Sequence, residues 1–263
     1  MNRRALIKPA PKAFAYFGHK NRHIDLYPTP RHNHIIEPFA GGAGYALRYA
    51  DLQVTLYELD ESVCMVWDYL INASAADIMA LPLIEPYQSV NDLNICDAAK
   101  QLIGRWTNPM AGKFKALVPP CMSKYIEQGK PDARVWSLAR KKLLSRTVQR
   151  IKHWKLINSS YMTAPNNKAT WFIDPPYNST VSRGVYQHDN RSIDYAELSE
   201  WCRNRAGQAI VCENTESKPW LPFRRLKTIK GGKDTVEGKK KLSTEVIWCS
   251  DERDWPMTQS SLL

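Results

Sequence analysis

The stretch His34-Ile35-Ile36-Glu37-Pro38-Phe39-Ala40-Gly41-Gly42-Ala43-Gly44 decides the fold. Its first residues read as a short strand. The run breaks at Pro38, passes through a glycine-rich turn and enters a helix predicted from about Gly44 to Ala50. Glycines let the backbone turn sharply and approach a ligand closely, and a strand feeding such a turn is the context a nucleotide-binding loop needs. Working outward, Gln53–Tyr57 reads as a second strand and Glu61–Asn72 as a helix. Further on, Ala169–Ile173 and Gln208–Cys212 read as strands, with a helix from Tyr195 to Arg205 between them. Arg225–Ile229 and Ser243–Cys249 read as a hairpin around the loop Gly231–Lys241. Alternating strands and helices predict an α/β fold with a mainly parallel sheet.

The middle of the chain reads differently. Between Asp97 and Leu156 there are fourteen basic residues against two acidic ones, Glu127 and Asp132, an excess of twelve that slightly exceeds the net charge of +11 of the whole chain. Ala75–Ala80 and Cys96–Arg105 read as helices. A loop is predicted around Asn108-Pro109 and Pro119-Pro120, then a long helix from Asp132 to Trp154 with Arg140, Lys141 and Arg150 on its polar face. Charge concentrated in one segment fits a nucleic-acid-binding lobe better than general solubility. The reading divides the chain into 1–72, a helical basic insert 73–156, and 157–263.

No apolar run is long enough for a membrane span, and Met1–Pro9 lacks the apolar stretch of a secretory signal. The six cysteines contain no Cys-x-x-Cys pair, so they are expected to be free thiols of a cytoplasmic protein, bacterial or made in an infected host cell. His32 and His34 lack nearby ligands to complete a metal site, and no metal is expected.

Three elements carry chemistry. The glycine turn is the first. Glu58, at the end of the second strand, is the second: an acid there can accept hydrogen bonds from both hydroxyls of a ribose. The third is Asp174-Pro175-Pro176-Tyr177, directly after the strand Ala169–Ile173. Two prolines remove two backbone donors and fix the backbone, leaving carbonyls as acceptors. The acid adds an acceptor and the tyrosine a face on which a base can stack. All three lie at carboxyl ends of strands, where open α/β sheets bind ligands.

These motifs and their order resemble the Dam-type N6-adenine DNA methyltransferases. Ala15-Tyr16-Phe17-Gly18-His19-Lys20 is similar to the family's N-terminal aromatic-x-Gly-x-Lys motif, with His19 where a second glycine is more usual. Glu37–Gly44 resembles the cofactor loop, Glu58 stands where the family usually has Asp, and Asp174–Tyr177 matches the catalytic motif throughout. Thr244–Ile247 resembles the closing strand, whereas Ser159-Ser160-Tyr161 lacks the acid the family tends to carry there. The resemblance implies a Rossmann-like, S-adenosylmethionine-dependent methyltransferase fold with a target-recognition insert.

It further implies that Asp174, Pro175, Pro176 and Tyr177 are catalytic. Tyr16, Lys20, Glu37, Phe39, Gly41, Gly42, Gly44, Glu58 and Asp174 would contact S-adenosylmethionine. Duplex DNA is the expected partner, with Arg105, Asn108, Lys113, Arg140, Lys141, Arg146 and Arg150 as its contacts and a monomer as the working unit. The Lys239–Lys241 run is a further candidate phosphate contact. The gap from Gly44 to Asp174 favours a recognition insert over a guanine-N2 RNA methyltransferase, which can also carry Asp-Pro-Pro-Tyr. A degenerate fold that only binds DNA is a second alternative. The absence of a nuclease motif fits a solitary methylase of the kind phages and prophages carry.

Overall fold

The computed structural model describes residues 12–20, 24–107, 114–127, 135–179, 190–233 and 240–255. Its strands are β1 (His34–Glu37), β2 (Gln53–Glu58), β3 (Lys155–Asn158), β4 (Ala169–Ile173), β5 (Gly207–Asn214), β6 (Arg224–Lys233) and β7 (Lys240–Cys249). They form one sheet in the order β3-β2-β1-β4-β5-β7-β6. The pairs β2–β3, β1–β4 and β4–β5 are parallel, and β7 runs antiparallel to both β5 and β6. This is the Rossmann-like α/β arrangement, with the strand order reversing beside β1. No helix among the described residues is long and apolar enough to cross a membrane.

The chain divides into two compact units. One comprises residues 1–24 and 40–159. It holds α1 (Gly44–Arg48), α2 (Glu61–Asn72), α3 (Ala75–Ala80), α4 (Asp97–Thr107), α5 (Pro120–Glu127) and α6 (Leu138–Arg150). Helix α2 starts where the Asp60 side chain accepts from Ser62 N, and α3 where Ser74 and Asp77 form a capping box. Helix α2 packs on α4, and α3 on α6. Trp67, Leu70, Leu102, Ile103, Trp106, Leu144 and Val148 are buried in this unit.

Three expectations for this region are corrected. Helix α6 begins at Leu138, because the extended Ser137 caps it by accepting from Arg140 N. The segment after Pro119 forms helix α5, since Pro120 sits at the first helical position, where a missing N–H costs nothing. Helix α4 runs on to Thr107, two residues past the predicted end at Arg105, so Trp106 also lies on it.

The other unit comprises residues 25–39 and 160–263, with α7 (Tyr195–Arg203) packed near β5. All five residues of β4 are buried. The register Ile35↔Thr170 and Ile36↔Trp171 sets β1 and β4 side by side. Residues following their carboxyl ends, Phe39 from β1 and Asp174 from β4, therefore leave the sheet along one edge. Tyr161 lies 5.1 Å from Phe39 and 5.1 Å from Trp201, centroid to centroid, and packs beside that edge.

Candidate active site

The glycine turn is built by close approach of the N-terminal motif. Gly41 has φ +44°, and a Cβ there would come within 2.6 Å of the Tyr16 ring. A Cβ on Gly42 would come within 2.5 Å of the His19 ring. The glycines thus admit the two rings onto the turn, a contact between motifs far apart in sequence. Ala43 also takes the left-handed conformation, at φ 43°, although it carries a side chain. The Gly41 carbonyl accepts from the Trp67 indole at 2.8 Å, and the Gly41 N–H donates to Glu58 Oε2 at 2.8 Å. Gly44 is buried as the first residue of α1.

Glu58 therefore does more than end a strand. Its Oε1 also accepts from the backbone N–H groups of Leu59 and Asp60, each at 2.9 Å. Burial raises its pKa, against the opposing effect of these backbone donors. Lys20 turns back to donate to the Gly18 carbonyl at 3.2 Å. His19 is held neutral, its pKa lowered to about 3 by burial and then by Lys12 and Lys20.

The second set of residues surrounds β4. Asp174 and Tyr177 are partly exposed and Pro175 is buried. The Tyr177 hydroxyl donates to Glu245 Oε2 at 2.9 Å. Burial, followed by Asp174 and Glu245, raises the Tyr177 pKa well above the ordinary phenol value. The Pro176 carbonyl accepts from the Tyr195 hydroxyl at 2.5 Å. Of the two proline carbonyls in the motif, that of Pro176 is thus engaged by the protein itself. Glu37, at the end of β1, is buried, and Phe39 is partly buried.

Several residues of these two sets were not singled out from sequence. Trp67, Asp60 and Ser62 support the glycine turn, and Tyr195, Glu213 and Glu245 support the Asp174 turn. Glu213 carried a usable signal, an acid near the carboxyl end of a parallel strand. Asp60 and Ser62 carried only the local signal of a helix cap, and Trp67, Tyr195 and Glu245 carried none, because their partners are distant in sequence.

The expected DNA contacts divide sharply. Arg105 is only 3% exposed; its guanidinium donates to Ser62 Oγ at 2.8 Å and lies 5.5 Å from the Phe14 centroid. Ser62 in turn donates to Asp60 Oδ1 at 2.6 Å. Arg140 is buried over the Trp106 ring, and Lys141 is buried and donates to the Leu81 carbonyl. Burial depresses the pKa of each of these three cations. All three are buried, which corrects their reading as DNA contacts. Arg150 forms a bidentate pair with Asp51, at 3.0 and 3.1 Å, and its charge is largely balanced. Arg146 and Lys142 on α6 are exposed. Asn108, Lys113 and Lys239 lie outside the described residues.

No family model and no curated protein matches the chain. Among solved structures, it is similar to two of the rRNA methyltransferase aviRa from Streptomyces viridochromogenes. One is 16% identical, covering 93% of this chain and 88% of that one, with a TM-score of 0.40. The other is 15% identical, covering 87% and 81%, with a TM-score of 0.38.

Proposed function

We propose that this chain is an S-adenosylmethionine-dependent DNA methyltransferase that modifies the N6 amine of an extruded adenine. The observation that carries the reading is the intact Asp174-Pro175-Pro176-Tyr177 turn at the carboxyl end of β4. It stands beside the parallel β1, whose chain runs on into the glycine turn. The reading assigns the cofactor to Tyr16, Lys20, Glu37, Phe39, Gly41, Gly42, Gly44 and Glu58, and the base to the Asp174 turn. The glycine turn fits a nucleoside ligand. Its backbone is stripped of side chains and faced by an aromatic ring, and Glu58 Oε2 retains lone-pair capacity beyond its one bond to Gly41.

When bound, S-adenosylmethionine supplies a methyl group on a positively charged sulfur. The amine of adenine is a poor nucleophile, because its lone pair is delocalised into the ring. Asp174 and the Pro175 carbonyl would each accept one N6 proton, turning the lone pair out of conjugation and stabilising the positive charge that develops on nitrogen. Asp174 is the acceptor for the proton that nitrogen sheds after transfer. Tyr177 would stack on the base, its hydroxyl held by Glu245. The base must leave the duplex to reach this turn, at a cost of a few kcal/mol. Residues 73–156 are assigned to target recognition, and the exposed Arg146 and Lys142 of α6 are assigned to phosphates.

The test is to offer tritiated cofactor with duplex DNA and with structured RNA, for the native chain and for Asp174→Ala. Label should enter DNA as N6-methyladenine, and Asp174→Ala should abolish transfer while leaving DNA affinity nearly intact. Label in RNA alone would replace the substrate. A native chain that fails to bind the cofactor by calorimetry is a DNA-binding module without the enzyme.

A further inference from the structure

Resting on the function proposed above, we infer that Glu213, on β5, is the positioning residue that holds the Asp174–Tyr177 turn in its reactive geometry. The carboxylate is 1% exposed and gathers four donors. Oε2 accepts from the Asn178 backbone N–H at 3.1 Å and the Trp220 indole at 2.9 Å. Oε1 accepts from the Asn214 backbone N–H at 3.0 Å and Ser217 Oγ at 2.7 Å.

These contacts close a ring around the turn. Asn178 directly follows Tyr177, so Glu213 pins one end of the motif. Trp220, held by the same carboxylate, packs against Tyr195 at 5.4 Å, and Tyr195 donates to the Pro176 carbonyl. The motif is thus gripped at Pro176 and at Asn178, and both grips trace back to Glu213. The turn needs such an external brace, because Pro175 and Pro176 have no N–H with which to anchor themselves.

The residue type follows from the donor count. Four donors need an acceptor-only group with about four lone-pair sites, which an ionised carboxylate provides. An amide has one oxygen and would turn its NH₂ toward two of the donors. Aspartate is shorter by one methylene and does not span the same partners. Burying the charge is costly, and the four hydrogen bonds offset that cost.

The experiment is a kinetic comparison of the full chain with Glu213→Gln on duplex DNA and structured RNA, with the native protein run in parallel. For Glu213→Gln, kcat should fall by about 10- to 100-fold, as misplacement of reacting groups predicts, with the affinities for cofactor and DNA unchanged. Burial raises the Glu213 pKa, so the acid limb of the native kcat profile should move to lower pH in the variant. Trp220→Phe keeps the ring and removes one donor; its kcat should fall several-fold, and the double variant should lose less than the product of the two. An active native enzyme with an unimpaired Glu213→Gln overturns this proposal alone. So does a loss of rate that merely follows a loss of cofactor binding and melting temperature. A native chain inert on both substrates overturns the proposed function and this inference together.

Discussion

The Arg140 guanidinium lies 3.9 Å from the centroid of the Trp106 ring, packing a cation from α6 onto an aromatic side chain of α4 that is 1% exposed. A residue whose sequence context pointed to phosphate binding instead joins two helices. Arg140→Ala should therefore lower stability by about 1–3 kcal/mol through lost packing and cation–π attraction. The salt dependence of DNA affinity should hardly change. Arg146→Ala should do the opposite, leaving the melting temperature alone and reducing the log–log salt slope by about one phosphate contact. Thermal melts and salt titrations of both variants decide the matter; a reduced slope for Arg140→Ala would contradict the structure.

Gly41 and Gly42 should respond differently to alanine. At Gly41 the added methyl meets the Tyr16 ring and the backbone also has φ +44°, so two penalties combine. Removing the ring with Tyr16→Ala should then restore Gly41→Ala only in part. At Gly42 the obstacle is the His19 ring alone, with no positive φ. The pair Gly42→Ala/His19→Ala should recover most of the cofactor affinity lost by Gly42→Ala. Calorimetric titration with S-adenosylmethionine reads both cycles, and additive losses in the Gly42 pair would refute the clash.

His19 gives the fold a sensitivity to mild acid. Its pKa falls from 6.5 to about 3, so between those values the unfolded chain binds a proton that the folded chain refuses. The stability this contributes is complete above the unfolded value and is lost as pH falls through the window toward 3. From about pH 7 to pH 5, the native melting temperature should drop more steeply than that of His19→Gln. Parallel melting curves for the two would exclude the effect.

Tyr177 separates ring from hydroxyl. Tyr177→Phe keeps the face proposed to stack on the base and removes the donor to Glu245, an effect of about 1 kcal/mol on stability. Its rate should fall only modestly. Tyr177→Ala should lose far more activity, because no stacking surface remains. Equal losses in steady-state rate would assign the role to the hydroxyl and not to the ring.

Local signals located many elements closely. Helices α2 and α3 and strand β4 occupy the residues read from the sequence, because caps at Asp60 and Ser74 and an unbroken apolar run mark them locally. Strand β3 escaped notice: it has four residues, none of them buried, and lies at the edge of the sheet. With neither face in the core, it has no alternation to betray it. Helix α5 escaped because a proline pair reads as a break, while only the neighbouring backbone shows that Pro120 begins a turn of helix.

Sequence alone determined that strands and helices alternate, that a glycine turn follows one strand, and that an acid, two prolines and a tyrosine follow another. Those properties reside in a few adjacent residues. Tertiary structure alone decided which way the charges face and what holds each turn: Arg105 inward to Ser62, Arg150 onto Asp51, and Glu213 among four donors. The sign of a charge belongs to its residue. Its partner is chosen by the packing of segments as far apart as the 99 positions between Asp51 and Arg150, and no local pattern encodes that choice.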